Sequence, residues 1–198
     1  LVSIEKLYMN CLYKLENSYA FNGNTTAFVE IEDGINEYGL AVGLTFIYPK
    51  IIKAGFNAGI LVRYLLEKCK TTNEAIEILK VLPIASQQTL TIADSTGNIV
   101  IVECNAESIE IIKPNEDGNF VTTANEFNSK GMKEYNNYNV DNWRAEERYI
   151  SSYNALKENN HNFSIELTKD ILSGKYGFIC QYDRKTNADT VWSVIYDI

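Results

Sequence analysis

Asp33-Gly34-Ile35-Asn36-Glu37-Tyr38-Gly39-Leu40-Ala41-Val42-Gly43-Leu44 is the stretch on which the reading of this chain turns. Its first half is dense in turn formers, and it joins two β-rich runs, Thr26 to Glu32 and Leu40 to Ile47. The first run alternates Ala27, Val29 and Ile31 with Phe28, Glu30 and Glu32, the period of a half-buried strand. Together these features predict a hairpin that turns between Asp33 and Gly39.

Downstream the period changes. Phe56, Ile60, Leu61, Tyr64, Leu65 and Cys69 recur at helical spacing, and Gly55 and Gly59 allow close backbone approach near the start of that helix. Thr71 stands three residues before Glu74, a capping box that opens a second helix running to Pro83. Beyond it Thr89 to Ala93, Ile99 to Cys104, Ser108 to Lys113 and Phe120 to Thr123 predict an antiparallel meander, with a turn at Asp94-Ser95-Thr96-Gly97-Asn98. Phe127 to Asn142 has no period and predicts a long surface loop with a substrate-facing role. Trp143 to Glu158 is helical, Ser164 caps a short helix to Leu172, and Thr190 to Tyr196 predicts a last strand. Helices and antiparallel strands arrive in blocks, so the class is α+β and not a parallel βαβ fold. With no repeat and no linker, residues 1–198 form a single domain.

Composition limits the function. The 18 Lys and Arg against 26 Asp and Glu give a charge of -8 without a basic cluster, so no nucleic-acid partner is expected. No apolar run reaches the roughly 20 residues that cross a bilayer, and Glu5, Lys6 and Lys14 interrupt any signal-peptide core, so no membrane is expected either. Cys11, Cys69, Cys104 and Cys180 are scattered, and His161 is the single histidine, which leaves no metal set and points to a reducing, cytoplasmic location. His161 reads as a solvated loop residue, and no cofactor motif is present. Tyr135, Tyr138, Tyr149 and Tyr153 read either as ordinary packing or as the lining of an acyl or aromatic pocket.

The opening stretch resembles the D-G-x-N-E-x-G-L segment of the choloylglycine hydrolase and acyl-CoA:6-aminopenicillanic acid acyltransferase relatives, which are N-terminal-nucleophile amide hydrolases. Three further segments match in order. Thr122-Thr123-Ala124-Asn125-Glu126-Phe127 looks like the family's T-N-x-F strand end, Arg148-Tyr149 like its helical arginine, and Thr190-Val191-Trp192-Ser193 like its closing T-x-x-S strand. The resemblance implies a four-layer αββα sandwich of antiparallel sheets. It also implies a hydrolase or acyltransferase that acts on the carbon–nitrogen bond of linear amides through a thioester on an N-terminal Cys. The partner is then a small-molecule amide, with a homo-oligomer left open.

Carried over by position, Asn36 and Asn125 would surround the oxyanion and nucleophile, and Arg148 would steady them with a fixed charge. Arg144, four residues earlier on the same helical face, competes for that role. Taken alone, Asn36 is a turn residue, Asn125 a strand-end residue and Arg148 a member of a surface ion pair. Two departures stand out. Cys11 lacks the family's context, so the resemblance puts the nucleophile, the first strands and a short C-terminal end outside these residues. Ala124 stands where the family more often has Thr. Two other readings stay open: a non-enzymatic relative that keeps the scaffold, and an unrelated enzyme dependent on Cys11.

Overall fold

A computed structural model describes residues 4–115, 118–160, 162–180, 182–183 and 188–198. His161 lies outside the described residues. Seven strands form one antiparallel sheet in chain order: β1 (Met9–Tyr13), β2 (Phe21–Thr25), β3 (Asp33–Asn36), β4 (Ala41–Phe46), β5 (Gln88–Ala93), β6 (Ile99–Cys104) and β7 (Ile109–Ile112). Between β4 and β5 the chain leaves the sheet through α1 (Ala58–Lys68) and α2 (Thr72–Leu79). This helical hairpin returns β5 beside β4, with Ala41 opposite Ala93 and Phe46 opposite Gln88. The helices α3 (Ala145–Glu158) and α4 (Ile165–Leu172) follow, then a two-stranded ladder of β8 (Tyr182–Asp183) and β9 (Ala188–Asp189).

The hairpin exists but is shifted relative to its sequence pattern. Asp33–Asn36 is the first strand, Glu37 to Leu40 is the turn, and residues 26–32 are a loop. The alternation in 26–32 misled because only its last apolar residue faces the core: Ile31 is fully buried while Phe28 is 72% exposed. Ile31 N–H donates to the Gly59 carbonyl at 3.1 Å, which docks the loop on α1. Gly34 belongs to the strand because α1 packs directly on it. A Cβ there would lie 2.7 Å from Leu66 Cδ1 and 2.6 Å from the Asn22 carbonyl.

One face of the sheet carries Phe21, Val42, Leu90, Ile92 and Val102, which pack against Leu61, Leu65 and Leu66 of α1 and Ile76 and Leu79 of α2. Burial of such side chains contributes roughly 1.5–3 kcal/mol each. The capping box at Thr71 forms, with its hydroxyl accepting from Glu74 N–H at 3.2 Å and Glu74 Oε2 accepting from Lys70 N–H at 2.7 Å. Ser164 caps α4 by accepting from Leu167 N–H at 3.0 Å.

The other face is polar on β1 to β3. Asn10 Nδ2 donates to Asn22 and Asn24 Oδ1, each at 2.8 Å, and Asn24 Nδ2 donates to Asp33 Oδ1 at 2.6 Å. The same carboxylate accepts Trp192 Nε1–H at 3.0 Å and the Tyr196 hydroxyl. Residues 190–196, expected as a strand, therefore lie across this face tethered by side chains, with no ladder among the described residues. Residues 120–123 likewise run without a ladder.

Candidate functional site

β4 ends at Phe46, and the segment that follows β7 returns to that end. Two buried anchors hold it there. The Glu103 carboxylate on β6 accepts from Asn128 N–H (2.6 Å), Ser129 N–H (3.0 Å) and the Ser129 hydroxyl (2.6 Å). Asn136 closes the loop on Phe127, its Oδ1 accepting at 2.8 Å and its Nδ2 donating at 2.9 Å. Phe127, Met132 and Ile47 form a small core beneath. The segment expected as a long surface loop is thus pinned at residues 127–129 and at Asn136.

Just before that loop, Glu126 N–H donates to the Ala124 carbonyl at 2.8 Å, a three-residue turn with Asn125 at its centre. The turn aims the Asn125 side chain at β4. Asn125 Nδ2 donates to the Phe46 carbonyl at 2.7 Å, and Asn125 Oδ1 accepts from Arg148 Nη2 at 2.5 Å. Arg148 projects from the first turn of α3 and also donates through Nε to the Trp143 carbonyl at 2.8 Å. An unusual backbone shapes this corner: Trp143 and Arg144 are consecutive left-handed residues with φ of 54° and 56°. Burial lowers the Arg148 pKa, while Asp141, Cys180 and Glu126 act in the opposite direction. A guanidinium still keeps its charge at neutral pH.

The structure brings Asn125 and Arg148 together and leaves Arg144 apart. Arg144 pairs with Glu147 and lies 3.7 Å from the centre of the Phe178 ring. Asn36 does not join them. It is 5% exposed, and its Nδ2 donates to the carbonyls of Leu66 (3.0 Å) and Cys69 (2.7 Å) at the end of α1. Its Oδ1 accepts Tyr38 N–H (3.1 Å) and Leu40 N–H (3.0 Å) in the hairpin turn. Both amide protons of Asn36 are engaged, and the side chain bridges the hairpin turn and the helix end instead of standing beside Asn125.

Sequence reasoning missed Glu126 and three aromatic residues at this corner. Burial raises the Glu126 pKa, and Glu146 adds to the effect. Tyr48 and Trp143 stack with ring centres 5.1 Å apart, and Phe46 meets Tyr48 edge-on at 5.2 Å. No spacing in the sequence ties residue 46 to residue 143, so no local signal could have paired them. Of the tyrosines singled out, Tyr149 and Tyr153 line a separate cavity of about 260 Å³ along α3 with Phe120, whereas Tyr138 stands beside Asn125. Among the described residues no cluster of His, Cys, Asp or Glu could hold a metal.

The chain belongs to the acyl-coenzyme A:6-aminopenicillanic acid acyl-transferase family, whose model matches residues 2–198. Solved structures carry the same fold. An N-acylethanolamine-hydrolyzing acid amidase ortholog from Caenorhabditis elegans matches with TM-score 0.60 at 18% identity, covering 86% of this chain and 74% of that one. Penicillin V acylase from Agrobacterium tumefaciens matches with TM-score 0.51 at 16% identity, covering 90% and 62%. A variant of the conjugated bile acid hydrolase from Clostridium perfringens matches with TM-score 0.55 at 16% identity, covering 83% and 67%. The chain therefore spans between 62% and 74% of the length of these structures. No curated protein is similar enough to the chain to count as a match.

Proposed function

We propose that this chain is the scaffold of a hydrolase or acyltransferase acting on the carbon–nitrogen bond of linear amides. The observation that carries the reading is the Asn125–Arg148 pair, formed by the two family motifs that lie 23 residues apart. The nucleophile needs a free α-amino group as base, whose pKa near ~8 suits neutral pH. None of Cys11, Cys69, Cys104 and Cys180 offers one, so the reading assigns the nucleophilic Cys to chain outside these 198 residues.

In that reaction the sulfur bonds to the amide carbon, and its proton passes through the α-amino group to the departing amine as the carbon–nitrogen bond breaks. Water then cleaves the thioester, releasing the acid and restoring the thiol, or a second nucleophile takes the acyl group. The Asn125 amide keeps one N–H without a partner among the described residues, a fixed neutral donor for the tetrahedral oxyanion. Arg148 holds that amide and supplies positive charge without giving up a proton.

The reading also includes a second sheet, completing four layers, on the face where residues 120–123 and 190–196 lie without ladders. It takes residues 1–198 as part of one domain in a reducing cytoplasm. No helix among the described residues is long and apolar enough to cross a membrane. The test is the natural full-length protein, with its N-terminus sequenced and an amidase assay run before and after iodoacetamide. An alkylated N-terminal Cys with lost turnover supports the reading. A protein without such a Cys that turns over no amide would leave a non-enzymatic relative.

A further inference from the structure

We propose that β1 is an interface strand: two copies of this chain pair their β1 edges antiparallel about a two-fold axis at Cys11, so that the seven-stranded sheet continues across a dimer. The inference does not draw on the amidase reading.

The two edges of the sheet are built differently. β7 carries Glu110 within the strand and is followed by Lys113 and Pro114, residues that discourage a further strand. The segment anchored at Glu103 also lies against it. A Cβ on Gly131 would meet Glu110 Oε1 at 2.6 Å, and the Tyr135 hydroxyl stands 3.3 Å from that of Ser108. β1 has none of these guards: Met9-Asn10-Cys11-Leu12-Tyr13 contains neither a charge nor a proline. Among the described residues its only ladder is with β2. An edge of unpaired N–H and C=O groups is a template for another strand, and an uncharged edge does not repel one.

The residues on either side of β1 select a second copy as that strand. Read outward from Cys11, Leu7 and Leu15 each stand four residues away, and Lys6 and Glu16 each stand five. All four are exposed. Among the described residues neither Lys6 nor Glu16 has an ion-pair partner. Antiparallel pairing with Cys11 opposite the partner's Cys11 brings Leu7 toward the partner's Leu15 and Lys6 toward the partner's Glu16, and symmetry makes each contact twice. Leu12, 66% exposed, then lies diagonal to the partner's Leu12, within reach of a long side chain. Other registers lose the match. Centring on Asn10 opposes Lys6 to the partner's Lys14, and a slip of one residue opposes Leu7 to the partner's Lys14.

A left-handed turn adds to the same edge. Phe28 has φ of 58° at the centre of a turn closed by Val29 N–H donating to the Ala27 carbonyl at 2.6 Å. The Tyr13 hydroxyl donates to the Phe28 carbonyl at 3.1 Å. The exposed pair Phe28 and Val29 is thereby held near the Tyr13 end of β1, where the pairing delivers the partner's Met9.

The experiment is sedimentation velocity of the natural full-length protein over a concentration series, with a short bismaleimide cross-linker and peptide mapping in parallel. A dimer that dissociates on dilution is expected, cross-linked from Cys11 to Cys11. Glu16→Lys and Lys6→Glu should each raise the dissociation constant at least fivefold with circular dichroism unchanged, and the variant carrying both should return to within twofold of the parent. If one single variant does not fold, the other carries the test. A protein that stays monomeric at every concentration overturns the proposal, as it would if the chain's own further residues covered β1. A dimer indifferent to both charge reversals, or one that cross-links without Cys11, overturns it as well.

Discussion

Arg148 and Asn125 meet at 2.5 Å, the guanidinium donating to the side-chain carbonyl while the same arginine is held from behind by the Trp143 backbone. The planar fork reaches the Asn125 side-chain carbonyl and the Trp143 backbone carbonyl through separate nitrogens, a rigid arrangement that a lysine ammonium on its flexible stem does not reproduce. Arg148→Lys in the natural full-length protein is expected to lower amide turnover about 100-fold with little change in melting temperature. Retention of turnover within a few-fold would remove Arg148 from the site.

Asn36 predicts the opposite outcome. Its four hydrogen bonds join the hairpin turn to the end of α1, and the residue is buried. Asn36→Asp turns a carboxylate oxygen toward the Leu66 and Cys69 carbonyls, and each group left unsatisfied costs roughly 1–3 kcal/mol. A loss of about 3 kcal/mol or more in urea unfolding is expected. A variant as stable as the parent that had lost turnover would place Asn36 in catalysis.

Asp94 supplies a pH dependence. Burial pushes its carboxyl up, but hydrogen bonds from Thr96 and Thr72 outweigh burial and hold the pKa at about 2. Its Oδ2 accepts Thr72 N–H at 2.8 Å, in the first turn of α2. Because the folded pKa lies below the unfolded value near ~3.9, the stabilisation is present above that pH and is lost as pH falls toward 2. Asp94→Asn is expected to cost about 2 kcal/mol at pH 7, with the difference from the parent closing near pH 2. Parallel pH–stability curves for parent and variant would contradict this.

The cysteines predict a labelling pattern. Burial pushes the thiols of Cys69 and Cys104 up to about 12, whereas Cys11 and Cys180 are partly exposed. The thiolate is the reactive form, so native alkylation at pH 7.5 should mark only the latter pair, and denaturant should expose all four. Peptide mapping after iodoacetamide reads the outcome, and native labelling of Cys104 would show the sheet to be open.

The elements whose signals are local were legible in the chain itself. The capping box at Thr71, the cap at Ser164 and the β5–β6 hairpin about the turn at residues 94–98 stand where the pattern puts them. The family motifs named Asn125 and Arg148 because motif spacing is a property of sequence. β1 and β2 were missed, since Asn10, Asn22 and Asn24 are poor strand formers that become stable only by bonding one another across the ladder. Residues 26–32 and 190–196 alternate like strands, but a strand also needs a partner edge, and none is supplied among the described residues.

The tertiary structure alone separates Arg148 from Arg144: Arg148 lies in the first turn of α3 and meets Asn125, whereas Arg144 is the left-handed residue before the helix and pairs with Glu147. It also joined Asn36 to the end of α1 and Phe46 to Trp143. Sequence determines which groups a chain carries and the local period in which they recur. Which of them meet across a hundred residues is settled by long-range packing, where burial leaves each donor only the acceptors that the fold delivers.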